Sequence, residues 1–233
     1  MPDSTVIRLT DVRKEYLLGE TKVEALRGVS LSVDKGEFIA IAGPSGSGKS
    51  TVLNMIGCID TPTSGAISIN GKDVGRLSDK ELTRYRRVTV SFIFQSFNLI
   101  PVLNVYENIE LPLLLQRVSD RKDRQVRVMH LIEEVGLSDR IKNKAAELSG
   151  GQRQRVAIAR ALAASPVMVL ADEPTANLDS DTGAKILDLM REINGREGTT
   201  FVFSTHDGHI MERARRIVNI KDGLIVRDER KGA

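Results

Sequence analysis

The stretch "EFIAIAGPSGSGKSTVLNMIG", residues 37–57, changes period half-way along. Residues 38–42 are continuously apolar, as suits a parallel strand buried on both faces, and a helical pattern begins at Lys49. Between them "GPSGSGKS" fits G-x-x-x-x-G-K-[ST], in the strand–loop–helix setting that gives this pattern its meaning. Glycines at 43, 46 and 48 let the main chain wrap phosphates, Lys49 reaches β and γ oxygens, and the Ser50 hydroxyl suits Mg2+.

Such a loop needs an acidic partner on a neighbouring strand. "VMVLADEP", residues 167–174, is an apolar strand ending in Asp172 and Glu173. Asp172 is placed for Mg2+ or its water shell, and Glu173, one residue further on, for polarising a water that attacks the γ-phosphate. A third strand, "TTFVFSTHD", ends at His206. Ligands of doubly wound sheets gather at the carboxyl ends of strands, so Lys49, Glu173 and His206 are expected along one edge, with His206 a phosphate contact. A GTPase reading fails at "NIKD", residues 219–222, where the lysine is one place late for N-K-x-D; "IVNIKDGLIV" reads as a hairpin turning at Asp222-Gly223.

A second glycine pair stands in "AAELSGGQRQRVAIARALAASP", residues 145–166. Ser149 is placed to cap an amphipathic helix, yet Gly150 and Gly151 occupy its first turn at a cost of about 1 kcal/mol each relative to alanine. Uncovered N–H donors at the positive end of a helix suit an anion, phosphate above all.

Size and composition bound the rest. The 233 residues, 41% hydrophobic and 28% charged, suffice for one substantial core with an appended lobe. A formal charge of +3 is dispersed along the chain, so charge gives no indication of nucleic acid. The start lacks the apolar region of a signal peptide and no apolar run nears the roughly 18 residues of a membrane span, which makes a cytoplasmic location the expectation. Cys58, the single cysteine, excludes an internal disulfide and reads as a small buried hydrophobe. His130 and His209 read as structural or solvated.

Taken in order, "GPSGSGKS", "LSGGQ", "LADEPTANLD" and "STHD" resemble the nucleotide-binding subunit of an ABC transporter over nearly the whole chain. That resemblance implies an ATPase built as one domain over residues 1–233: a P-loop NTPase α/β core with a parallel sheet, an N-terminal antiparallel β subdomain and an inserted α-helical subdomain at about residues 85–165. It implies ATP and Mg2+, with Gly43, Ser45, Gly46, Ser47, Gly48, Lys49, Ser50 and Thr51 on the nucleotide. It also implies a head-to-tail homodimer in which Ser149, Gly150, Gly151 and Gln152 of one copy clamp the nucleotide held by the other. Gln95 resembles the glutamine that reaches Mg2+ and the attacking water, and Asp179 the aspartate that couples the two sites. Tyr16 resembles the aromatic that stacks on adenine, with core packing as its competing reading. Ala176 stands where a glycine is common in this branch, a methyl group that weakens no assignment.

Within the superfamily, "FIFQSFNLIPVLNVYENIELPLLL" and "LADEPTANLDSDTG" look like the branch containing LolD, MacB and FtsE. The resemblance implies a separate membrane permease of the LolC/LolE, MacB or FtsX type and a peripheral place at the inner face of the cell membrane. Work on lipoprotein release or macrolide export is one reading, and an FtsE-like gating of a division or cell-wall complex without transport is the other. A nucleic-acid or ribosome ATPase would carry a long coiled-coil insertion, a second cassette or a basic arm, and none is present. The chain ends 27 residues after His206, so the added regulatory domain of many importer ATPases is not expected. Residues 97–112 are the expected permease contact: they follow Gln95, are rich in aliphatics, and carry only Glu107 and Glu110 as charges, an acidic rim suited to a basic permease residue. The competing reading makes them the buried start of the helical lobe.

Overall fold

The computed structural model describes residues 4–231. A six-stranded sheet organises them: β3 (Phe38–Ala42), β6 (Val90–Ile93), β7 (Met168–Asp172), β8 (Thr200–Thr205), β9 (Arg216–Lys221) and β10 (Leu224–Arg230), in the order β10-β9-β3-β8-β7-β6. All pairings are parallel except β9 with β10. That hairpin turns at Asp222 and Gly223, both at positive φ, as the sequence predicts.

Strand period two sorts the apolar residues of the buried strands into two cores. Phe38 and Ala40 of β3, Val169 and Ala171 of β7, and Phe201 and Phe203 of β8 face a helical layer. Ile39 and Ile41, Met168 and Leu170, and Val202 face the opposite side. There they meet α1 (Lys49–Ile56) and an antiparallel sheet of β1 (Thr5–Leu18), β2 (Thr21–Asp34), β4 (Ser64–Ile69) and β5 (Lys72–Asp73). Cys58 is buried in this second core, and burial pushes its thiol up to about 11.

The helical layer comprises α3 (Val105–Leu115), α4 (Arg121–Glu134), α5 (Gly150–Ala163) and α6 (Ser180–Glu197), with α7 (Gly208–Arg213) after β8. The expected boundary of the helical insertion, about residue 85, is corrected. α2 (Asp79–Thr89) runs straight into β6, and β6 is an edge strand of the parallel sheet paired with Met168–Ala171. Residues 90–93 of the span expected for the insertion, about 85–165, therefore belong to the sheet. Its first helix is capped from both sides: Asn104 accepts from the Glu107 N–H, and Glu107 accepts from the Asn104 N–H.

One buried cation ties the last hairpin to the rest. Arg216 of β9, 7% exposed, donates to both Asp228 carboxylate oxygens at 2.8 and 2.7 Å, to the Ser32 carbonyl at 2.8 Å and to Glu37 at 3.0 Å. The hydrogen bonds from Arg216 hold the Asp228 carboxyl below the usual carboxylate range. A depressed folded-state value stabilises the fold above the unfolded carboxylate range and loses that stability as pH falls through the folded value. Asp228→Asn is therefore expected to lower the melting temperature at neutral pH, with the gap to wild type closing below about pH 4. A gap that stays constant through acid titration would count against the ion pair.

Candidate functional site

The carboxyl ends of β3, β7 and β8 open into a cleft of about 410 Å3. Ser45, Gly46, Gly48, Lys49, Ser50 and Thr51 line it from the β3–α1 loop, Asp172 and Glu173 from the end of β7, Ser204 and His206 from β8, and Gln95 from the segment after β6. The expected edge is thus one continuous wall. Val23, Glu24 and Ala25 of β2 close the other side, residues that the sequence reading missed because nothing in the alternation of β2 distinguishes them.

The loop is shaped by close approach. Gly48 sits at φ 103, and a Cβ there would meet the Ala25 carbonyl at 2.7 Å. It opens α1 with no side-chain cap and no acidic residue in the first turn, leaving the N–H donors for an anion. Gly46 faces open cleft, with nothing within 4 Å of an added Cβ. Gly43 and Ser47 differ from their neighbours, because they back onto the β9–β10 hairpin. A Cβ at Gly43 would meet the Ile220 carbonyl at 2.1 Å, and the Ser47 carbonyl accepts from the Gly223 N–H. Lys49 is buried, its ammonium donating to the carbonyls of Gly43 and Pro44 at 2.8 and 2.9 Å.

Ser50 Oγ donates to Asp172 Oδ2 at 3.4 Å, so the hydroxyl and the carboxylate face each other beside Gln95. Hard oxygen donors of this kind fit Mg2+. Beyond them, Glu173 holds a left-handed backbone at φ 46, its N–H donating to the Ser204 carbonyl at 3.0 Å. Its Oε1 lies 2.7 Å from His206 Nδ1, and its Oε2 accepts from Thr205 Oγ1 at 3.3 Å. Strained backbone of this kind persists only where the surroundings impose it, and it clusters at functional sites.

The remaining candidates lie outside the cleft. Ser149 caps α5 by accepting from the Gln152 N–H at 3.3 Å, while Gln152 accepts from the Ser149 N–H at 2.9 Å. A Cβ at Gly151 would come within 2.5 Å of the Thr182 methyl. Gly151 therefore also makes room for α6 of its own chain, a packing reason for the glycine beside the anion reading. Asp179 caps α6, accepting from the Thr182 N–H at 2.9 Å. None of Ser149, Gly150, Gly151, Gln152 or Asp179 lines the cleft of its own copy. Tyr16 is half-buried, its hydroxyl donating to Asp60 at 2.9 Å and the Lys14 ammonium 4.9 Å from its ring centre. Its cross-strand partner Val23, not Tyr16, lines the cleft.

The sequence profile described as "ABC transporter" matches residues 26–176, which includes the phosphate loop, the glycine pair and the paired acids. The chain belongs to the ABC transporter family. The cassette is 46% identical over 221 residues to the lipoprotein-releasing system ATP-binding protein LolD 1 of Rhodopseudomonas palustris, covering 94% of this chain and 98% of that one. It is 43% identical over 225 residues to the macrolide export ATP-binding/permease protein MacB of Bdellovibrio bacteriovorus, covering 97% of this chain and 34% of that protein. Its fold matches the ATP-binding cassette MJ0796 of Methanocaldococcus jannaschii, solved as a dimer in a post-hydrolysis state with ADP and Pi. There the TM-score is 0.88 and the identity 45%, over 97% of this chain and 100% of that one. The ABC cassette is thus an ATP-binding, ATP-hydrolysing subunit, and among its described residues no helix is long and apolar enough to cross a membrane.

Proposed function

We propose that this cassette works as a head-to-tail homodimer that closes on two ATP molecules and drives a separate permease of the LolD/MacB branch, from a peripheral position on the cytoplasmic face of the membrane. The observation that carries the reading is the division of labour within one copy: Lys49, Ser50, Gln95, Asp172, Glu173 and His206 share one cleft, while Ser149 to Gln152 stand outside it. A second copy supplies the missing wall. In this reading Lys49 turns to the β and γ phosphates, and Val23, with Tyr16 beside it, offers a face to adenine. Ser50, Gln95 and Asp172 hold Mg2+, which when bound offsets phosphate charge. Glu173 takes the proton of the attacking water, His206 steadies that carboxylate and contacts the γ-phosphate, and Asp179 links the two sites. Turnover should require a divalent cation, and an ATPase rate unchanged by EDTA would contradict the assignment of Ser50 and Asp172.

The permease contact needs revision in detail. Tyr106 and Leu99 pack against the main core, and Asn108, 1% exposed, bonds to the backbone of Ile100, Leu103 and Asn104. Much of residues 97–112 is therefore the start of the helical lobe. The acidic rim is also internally satisfied, Glu107 in the cap of α3 and Glu110 with Arg124 at 3.0 Å. Beside this segment runs an apolar groove of about 370 Å3, lined by Phe92, Phe94, Asn98, Leu111, Pro112 and Leu115 and rimmed by Arg86, Arg87 and Arg160. Arg86 and Arg160 donate to backbone carbonyls, whereas Arg87 is exposed and has no side-chain partner among the described residues. A short amphipathic permease helix with an acidic residue fits this groove better than a basic one.

Arg87→Glu combined with Leu115→Asp alters two exposed side chains, so the isolated subunit should keep its melting temperature and its basal ATP turnover. With a permease of the LolC/LolE, MacB or FtsX type in nanodiscs, stimulated turnover should fall about tenfold or more. Full stimulation would place the contact elsewhere. The same preparation separates the two branch readings, since cargo release into the bilayer's far side favours transport and stimulation without any cargo favours an FtsE-like gate.

A further inference from the structure

We infer that Thr205 is a positioning residue for the Glu173 carboxylate. The inference rests on the reading of Glu173 as the general base.

The two oxygens of Glu173 are held by unequal hands. Oε1 meets His206, whose side chain is 73% exposed and free to turn toward a phosphate. Oε2 meets the hydroxyl of Thr205, which is 0% exposed at the end of a central strand. A threonine hydroxyl has a single proton, and the Asp207 N–H donates to its oxygen at 2.9 Å, so that proton is left for Glu173. Asp207 is fixed in turn: its Oδ2 accepts from Thr175 Oγ1 at 2.9 Å and its Oδ1 from the His209 N–H at 2.8 Å, as the cap of α7. The β-branched side chain of Thr205 is stiff about χ1 and packed on every side. A chain of hydrogen bonds thus runs from Thr175 through Asp207 and Thr205 to Oε2. Whatever His206 does during the reaction, one oxygen of the carboxylate keeps its direction. A base acts on water only within hydrogen-bond reach and in line, so loss of that direction slows chemistry without loosening ATP.

Valine fills the same volume but also leaves the Asp207 N–H without its acceptor, a loss that serine avoids. Thr205→Val is expected to lower kcat about tenfold, leaving KM for ATP unchanged. Thr205→Ser, which keeps the hydroxyl, should return kcat to within about twofold of wild type. In a Glu173→Gln background, Thr205→Val should change turnover little, because both lesions act at one carboxylate. Wild-type kcat in Thr205→Val, an equal loss in Thr205→Ser, or losses that multiply in the double variant would each overturn the inference. Should the valine variant fail to fold, Thr205→Ala against Thr205→Ser makes the same comparison. Glu173→Gln with undiminished turnover is a different result: it removes the base assignment itself, and is read from the single variant alone.

Discussion

Glu173→Gln is expected to cut ATP turnover by about a hundredfold or more while leaving ATP binding intact. The amide is the same size as the carboxylate and still meets His206 and Thr205, the contacts at 2.7 and 3.3 Å that hold the side chain over the cleft. It lacks only the ability to take a proton from water. Because the chemical step stalls after nucleotide is bound, ATP should trap the two-copy state, visible as a doubled mass in light scattering. A variant that hydrolyses ATP near the wild-type rate means the base is elsewhere in the cleft.

The second large effect concerns which copy supplies which wall. In a dimer with Ser149→Arg in one copy and Lys49→Ala in the other, head-to-tail pairing puts both lesions in the same composite site. The other site keeps an intact Lys49 and an intact Ser149. If each copy completed its own site, both would be damaged. Ser149 is exposed, so arginine there costs the cap, roughly 1 kcal/mol, and not the core. Lys49→Ala removes the cation nearest the β and γ phosphates. Tagged mixed dimers should therefore retain about one occluded nucleotide per pair, and complete absence of occlusion would falsify the head-to-tail arrangement.

Those expectations come from residues whose meaning is local. The phosphate loop was legible because strand, glycines, lysine and helix follow one another within residues 37–57. Asp172 and Glu173 were legible because an apolar run ends on them. The start of the helical insertion was not, since "VSFI" follows α2 without a turn residue and four apolar residues carry no period that separates strand from helix. The acidic rim was misread for a different reason. Arg124, fourteen positions after Glu110, becomes its partner only when α4 packs on α3. Gly151 likewise owes its missing side chain partly to Thr182, and the hydrogen bonds around Thr205 join residues from 173 to 207 that no spacing rule connects.

Helix α5 has a role beyond presenting its first turn. Near its other end, Arg160 donates to the carbonyls of Phe97 and Asn98, both at positive φ in the bend just after Gln95, and Arg153 lies over the Phe97 ring. From Ser149 to Arg160 is about 17 Å of helix, an element that resists compression along its axis. Its geometry is that of a push-rod. In the head-to-tail reading, a displacement imposed at Ser149 by the other copy would be carried along the helix to the bend beside the groove where Arg87 and Leu115 stand.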